Sequence, residues 1–577
     1  MKRVGLALSI VFLMVTAAGC VLSVSPSTSE TVVMNPGETQ TFTIKTSGTT
    51  GYDRKFNIYD ASDGLSTDTI EAANFSYKTN DDTLEDTATY TPNGESVGEY
   101  KVKFNLTYWS EDTPLSMAFL AYVNAVHSRT WKVVVRGVGI TPRQTLSAIP
   151  GTTMTYTAAA YPEGDYTYQW LLDGEVVATG ATYDLTPTLE QCGTHTLTAT
   201  AIGEGEVYSL SREIVVPLTL AGGSDSDEAH CIQATPDGGF IVAGQSKSTD
   251  IPGTTNHGGE DAYAVKFGSS GAVQWQKLYG GKSWDQAYSI APTSDGGYIV
   301  AGYSGSSDIP GAPLTGFNDM YILKLDSQGE VEWQKLYGSS IPEYTSNHAF
   351  AALPTGDGGY IVIGSWVLKL GSQGDVLWQK SEYAGRSLCV DADGGFIIWG
   401  KKNDAPGIFK LDSEGIEEWY RPFDARWEFP QGDLMAAGNN SYTAVMNRND
   451  VTTRTYENAL AKVTDNGASA SSDWTKVFTR SGYADSIEYS TLLPTTAGGY
   501  CAVGTTGSDR ICVLRLDAGG NPLSAGPRLI GGGLERHRVL DAAIAADGSY
   551  LLVDSPTFFW LPGTRDIYVL KLNESAN

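Results

Sequence analysis

From about residue 213 the chain alternates short apolar runs with breaks rich in glycine and aspartate, and the same order of runs keeps returning. Ser289-Ile-Ala-Pro-Thr-Ser-Asp-Gly-Gly-Tyr-Ile-Val-Ala-Gly302 has counterparts around Asp237, Asp357, Asp393, Asn439, Ala497 and Asp547, seven copies in all. Each is followed by a run of the type Asp319-Met-Tyr-Ile-Leu-Lys-Leu325, and in five copies a further run carries Trp275, Trp333, Trp378, Trp419 or Trp474. Short β-branched and aromatic runs bounded by Gly, Asp and Ser predict strands. The Asp-Gly pairs predict tight hairpins, because glycine adopts positive φ cheaply. This gives the repeated Asp-Gly-Gly, with Asp391 and Asp393, a structural reading. Upstream, Gln40-Thr-Phe-Thr-Ile-Lys45, Gly98-Glu-Tyr-Lys-Val-Lys-Phe104 and Thr130-Trp-Lys-Val-Val-Val135 alternate as half-buried strands do.

Four short antiparallel strands per copy, here lettered A to D, repeated seven times, predict a seven-bladed β-propeller over residues 213–577. The copy anchors lie 36 to 62 residues apart, which places insertions in loops. The last copy stops after strand C at Ile567-Tyr-Val-Leu-Lys-Leu572, leaving a sheet edge to be covered. Leu218-Thr-Leu-Ala-Gly-Gly223 aligns with Lys277–Gly281, so the segment near 213–220 is expected to supply the missing strand and clasp the two ends together.

The repeats resemble those of secreted bacterial propellers. Asp326-Ser-Gln-Gly-Glu-Val-Glu-Trp333 is similar to the Asp-x-x-Gly-x-x-x-Trp element of quinoprotein-type propellers, a resemblance that implies tryptophans docking adjacent blades. It implies no quinone, because seven units stand where that family usually has eight and no paired-cysteine cofactor motif occurs; no cofactor is expected. The repeated box of sialidase-like propellers is absent. Residues 137–212, with Tyr168-Gln-Trp-Leu-Leu-Asp-Gly174 and Gly193–Thr200, resemble an immunoglobulin-like or PKD-type β-sandwich with a strand tryptophan, without its paired cysteines. Residues 20–136 repeat that theme. The expected fold is therefore all-β: two immunoglobulin-like sandwiches, then a propeller closed by an N-terminal strand.

The 65 glycines and 31 tyrosines suit such a protein, and a formal charge of −27 argues against nucleic acid as partner. Met1-Lys-Arg, an apolar run from Val4 to Val15 and Ala17-Ala-Gly-Cys20 resemble a bacterial lipoprotein signal over residues 1–19. That resemblance implies lipidation of Cys20 and a membrane-anchored place at the cell envelope, outside the cytoplasm; an ordinary secretory signal is the alternative. The other five cysteines form no framework, and Cys501 and Cys512 read either as cross-strand neighbours or as buried free thiols.

Chemistry is sparse. Six histidines occur without His-x-x-x-His spacing, Gly-x-Ser-x-Gly is absent, and neither a metal nor a catalytic residue is expected. His230, His348 and His537 fall on or before inner strands; three unrelated polar residues, rather than a metal site, is the favoured reading. The long B–C loops of copies one and two and the D–A loops suggest a binding rim. Its candidates are Trp284 and Asp285, with Arg536, His537 and Arg538. To these are added Phe558, Phe559 and Trp560, which stand where the other copies have Ser306-Ser307-Asp308 and Ser248-Thr249-Asp250 and form either a contact patch or a plug against the next blade. Binding of a protein or glycan is the expected function. A polysaccharide-acting enzyme and a periplasmic assembly scaffold are the alternatives.

Overall fold

The computed structural model describes residues 21–25, 31–34, 40–46, 52–60, 75–78, 85–90, 98–108, 129–141, 148, 150–188, 191–203, 205–338, 346–423, 433–450, 455–467, 469–481, 487–506, 510–524, 526–530, 535–536, 539–555, 557–558 and 567–572. They are all-β and fall into two compact units. Unit 1 comprises residues 1–143, 154–185 and 196–212; unit 2 comprises 144–153, 186–195 and 213–577. The two short segments 144–153 and 186–195 thus group with the repeats rather than with the strands that flank them in sequence.

Unit 1 holds immunoglobulin-like features. Two four-stranded sheets come from its first part, one of them with a parallel pair, Thr31–Met34 on Arg129–Val135. Its second part packs strands Gly137–Thr141, Met154–Tyr161 and Thr182–Leu185 in one sheet and places Thr167–Leu172 in another. Along Met154–Tyr161 Tyr156, Ala158 and Ala160 are buried and Thr155, Thr157 and Ala159 exposed, as the alternation requires. Trp170 is fully buried there, 5.9 Å from Tyr183, and its indole N–H donates to Gly180 O at 3.0 Å.

Unit 2 contains seven four-stranded antiparallel sheets among the described residues. Six follow chain order, beginning with Asp227–Ala234, Phe240–Ser246, Asp261–Phe267 and Val273–Tyr279. The seventh joins Val539–Ile544, Tyr550–Asp554 and Ile567–Leu572 to Thr219–Ala221 from the other end of the unit. Each first strand lies against the first strand of the next sheet, and the seventh lies against the first. The result is a propeller-like ring. The clasp forms as the repeats predict, shifted to the end of the expected segment: Thr219 pairs with Val569 and Ala221 with Ile567, and Leu218 N donates to Val569 O at 2.7 Å.

Two repeated devices hold the ring. In the first, a tryptophan on the fourth strand reaches the next sheet. Trp275, Trp333 and Trp378 donate their indole N–H to Ser327, Ser372 and Ser413 carbonyls at 3.0 to 3.1 Å. Their rings lie where a Cβ on Gly329, Gly374 or Gly415 would be, and Trp474 does the same at Gly520. Trp419 departs from this, donating instead to Asp465 Oδ1 at 2.9 Å. At the clasp, Leu218 covers Gly271 in place of a tryptophan.

The second device ties strand C to the A–B hairpin. Buried Lys266, Lys324 and Lys369 each reach the hairpin aspartate, Asp237, Asp295 or Asp357, at 2.8 Å, and Lys571 reaches Asp547 at 2.7 Å. Lys266 holds Asp237 down to about 2. At Asp295 burial opposes ionisation, but Lys324 outweighs it and again leaves about 2. In the fourth sheet Lys410 contacts Asp391, Asp393, Glu418 and Asp465 together. The Asp-Gly-Gly carboxylates are thus engaged in structure. Cys501 pairs with Arg515 and Cys512 with Gly504, so the two cysteines are not opposite one another, and none of the five described cysteines is in a disulfide.

Candidate functional site

The seven first strands surround a cavity of about 910 Å³. Six of them carry a β-bulge at the equivalent place, directly after the residue paired with the last glycine of strand B or, in the seventh sheet, with Asp554, as between Ala229 and Cys231 or Ala287 and Ser289. An inserted residue leaves the ladder and changes which face the following side chains take. The bulged residues are His230, Tyr288, Phe350, Arg386, Ser490 and Leu540, and all six line the cavity. Opposite the bulge, strand B has Gly244, Gly302, Gly364, Gly400 or Gly504, where a Cβ would collide with a first-strand carbonyl. The glycine ending each Tyr-Ile-Val-Ala-Gly run therefore makes room for the bulge. Asp554 takes this place in the seventh sheet.

Four consecutive bulges form one wall. The His230 and Tyr288 rings meet edge-on at 5.2 Å, Tyr288 and Phe350 lie 5.5 Å apart, and the Arg386 guanidinium sits 4.1 Å over the Phe350 ring. Behind them His348 stacks on Tyr303 at 4.4 Å. Burial, and secondarily the Arg386 charge, push the His348 pKa below the usual imidazole value. Arg386 has no hydrogen-bond or ion-pair partner among the described residues, and burial pulls its pKa down.

The other side is acidic. Asp433, Glu488 and Asp541 line it, and Glu228 stands on the first strand two residues before His230. Asp433 accepts from Ser387 Oγ at 2.7 Å, from its neighbour Leu434 N at 2.8 Å and from Thr491 Oγ1 at 3.1 Å. Asp541 accepts from Ile232 N at 3.0 Å and Ala542 N at 2.8 Å. Burial first and the charge of Asp433 second push Asp541 up to about 7. Both carboxylates thereby tie neighbouring first strands together. Among the described residues no three His, Cys, Asp or Glu converge as a metal site.

The rim residues chosen from sequence fare unevenly. Trp284 is 56 % exposed, beside Gly259 of the preceding B–C loop. Asp285 is fully buried: it accepts from Gly281 N and from Ser306 Oγ, both at 2.8 Å, while Ser306 Oγ accepts from Ser283 N and Asp308 from Lys282 N. A carboxylate used to hold the D–A loop is not a contact residue. The first sheet repeats this set with Asp227, Ser248 and Asp250. The serine and the aspartate at the positions of Phe558 and Trp560, Ser306 and Asp308 or Ser248 and Asp250, are therefore fastenings. In the seventh sheet the two loops are joined by backbone pairing instead, Glu535 with Phe558 and Arg536 with Thr557. The structure thus brings the Arg536 and Phe558 segments side by side, whereas Phe559, Trp560, His537, Arg538 and Cys20 lie outside the described residues.

Sequence reasoning missed the aromatic wall and Phe317, a second rim aromatic that is 57 % exposed. The signal was present in the repeat alignment: one position inside an otherwise regular strand changes from His to Tyr, Phe, Arg, Ser and Leu.

No protein-family model matches the chain, and no curated protein matches it. Among solved structures it is similar to a quinonprotein alcohol dehydrogenase-like protein from Bacteroides thetaiotaomicron VPI-5482, with 10 % identity over 68 % of this chain and 97 % of that one, at a TM-score of 0.32. It is also similar to DIP-gamma IG1+IG2, with 14 % identity over 34 % of this chain and 96 % of that one, at 0.16. Fibronectin(III)-like modules of CbhA from Clostridium thermocellum show 18 % identity over 34 % and 93 %, at 0.13. Likenesses of this size add nothing to the sheet order itself.

Proposed function

We propose that the chain is a lipid-anchored binding protein of the bacterial cell envelope, exposed outside the cytoplasm. In this reading two immunoglobulin-like sandwiches precede a seven-bladed propeller, which is closed by the Thr219–Ala221 strand and engages a glycan or protein at its loop face. Cys20 carries the lipid, and the charge of −27 disfavours nucleic acid. The observation that carries the binding role is the cavity wall of His230, Tyr288, Phe350 and Arg386, in which four strands present rings and an unpartnered guanidinium to one space. A concave site with a few convergent polar groups on an aromatic lining is the usual form of a ligand site. The wall stands about midway along the first strands, which begin at the end where the D–A and B–C loops emerge.

Screening the purified full chain against glycan and peptide arrays tests this, with Tyr288→Ala/Phe350→Ala alongside. Binding that the double variant loses while its strands remain folded by circular dichroism supports the reading; binding that it retains removes the cavity from it. An enzyme acting on polysaccharide is the second reading, favoured by Asp541, whose pKa of about 7 suits a general acid. Against it, Asp541 accepts two backbone N–H groups. Turnover abolished in Asp541→Asn would establish the enzyme reading.

A further inference from the structure

We propose that the cavity takes an acidic sugar, a pyranose bearing a carboxylate, with Arg386 as its anion anchor and Phe350 and Tyr288 as its stacking platform. This deepens the binding role above and rests on it.

The starting point is charge. An unpaired guanidinium inside a protein of formal charge −27 is unexpected, since carboxylates are abundant enough to compensate it. Instead Arg386 lies over Phe350, between a cavity and an aromatic ring, with its forked donors uncommitted. A planar guanidinium in that setting recognises a carboxylate by two parallel hydrogen bonds. The cavity is also polarised. No carboxylate lines it on the second, third and fourth first strands, where Tyr288, Phe350 and Arg386 stand, whereas Glu228, Asp433, Glu488 and Asp541 belong to the others. A ligand must then offer one anionic group and a flat apolar face to one side and hydrogen-bond donors to the other. A uronic acid does so: its carboxylate meets Arg386, its ring C–H face meets the aromatics, and its hydroxyls donate to the carboxylates. The global negative charge disfavours long polyanions but is screened beyond about 8 Å at physiological salt, so a single acid group in the cavity is compatible with it.

Titration calorimetry of the full chain with glucuronate, galacturonate, glucose, galactose and free glutamate tests the assignment. The uronates are expected to bind at least tenfold more tightly than the neutral sugars, about 1.4 kcal/mol. Arg386→Gln should abolish that preference, so that the uronates bind no more tightly than the neutral sugars. Because Arg386 has no hydrogen-bond or ion-pair partner among the described residues and gives up only its contact over the Phe350 ring, the ligand-free variant should melt close to the parent temperature; a fall of several degrees would make Arg386 a structural strut and overturn its assignment as anchor. Equal binding of acidic and neutral sugars, abolished by Tyr288→Ala/Phe350→Ala, overturns the acidic-sugar class and keeps the cavity as a binding site. Preference for glutamate over both uronates overturns the sugar in favour of an amino acid. Array binding that neither set of variants affects, with no sugar bound in the calorimeter, overturns the cavity reading as well.

Discussion

Replacing Leu218 by alanine tests whether the ring is closed by its clasp. Leu218 is 5 % exposed and packs with Phe267, Val553, Ile567 and Val569, residues from both ends of the unit. Its removal deletes three carbons, about 2 kcal/mol of transfer free energy at ~0.8 kcal/mol per methylene, and the cavity left against Gly271 brings the expected loss to about 3 kcal/mol. If the segment were instead a free linker, the residue would be exposed and the change would stay within ~0.5 kcal/mol. Urea unfolding of the full chain, followed by circular dichroism, measures the difference. Leu278→Ala provides the reference, because Leu278 has the same exposure, lies in the same core cluster and belongs to an internal fourth strand. It identifies which transition belongs to unit 2. Comparable losses from both substitutions establish that the closure strand is held as firmly as an internal one. A parent-like midpoint for Leu218→Ala, beside a shifted Leu278→Ala, would refute the closure.

Other outcomes follow from the same geometry. Gly374→Ala meets both a φ of +74° and the Trp333 ring, whereas Gly296→Ala meets a φ of +86° and open space. The first should cost more than the ~1–2 kcal/mol of backbone strain that the second costs, and equal losses in thermal unfolding would count against tryptophan docking. Lys410→Met leaves four acidic contacts uncompensated and should destabilise by about 3–5 kcal/mol, measured in the same way. Asp237 and Asp295 have folded pKa values depressed to about 2, so their stabilisation is present above pH ~4 and is lost as pH falls toward 2. Asp541 acts oppositely: with its pKa raised to about 7, the folded state binds the extra proton, and stability falls as pH rises from ~4 to 7. Unfolding of Asp541→Asn across that window should lack the fall. Alkylation of the denatured, unreduced chain followed by mass spectrometry should find Cys192, Cys231, Cys389, Cys501 and Cys512 all modified.

The sequence by itself determined the repeat. Turn residues act locally, so Asp-Gly-Gly marks each A–B hairpin, and apolar runs of fixed order mark strands B and C. The tryptophan of strand D has its docking glycine at a constant place in the next copy, which is why Trp275, Trp333, Trp378 and Trp474 meet that glycine; Trp419 also reaches the next sheet, but there Asp465 offers its indole a carboxylate. The clasp was legible because Leu218–Gly223 repeats the end of a copy.

What only the tertiary structure decided is which residues face the axis and which carboxylates are spent. A β-bulge alters the facing of side chains without interrupting the apolar pattern, so although the repeat alignment sets His230, Tyr288, Phe350 and Arg386 at one position, it does not say that this position faces the axis. Their meeting depends on the ring bringing successive first strands side by side. Asp285 read as a rim residue because it follows exposed Trp284, yet Gly281 N and Ser306 Oγ close over it. Long-range hydrogen bonds and a shared cavity are properties of the assembled sheets, and no spacing rule within one repeat encodes them.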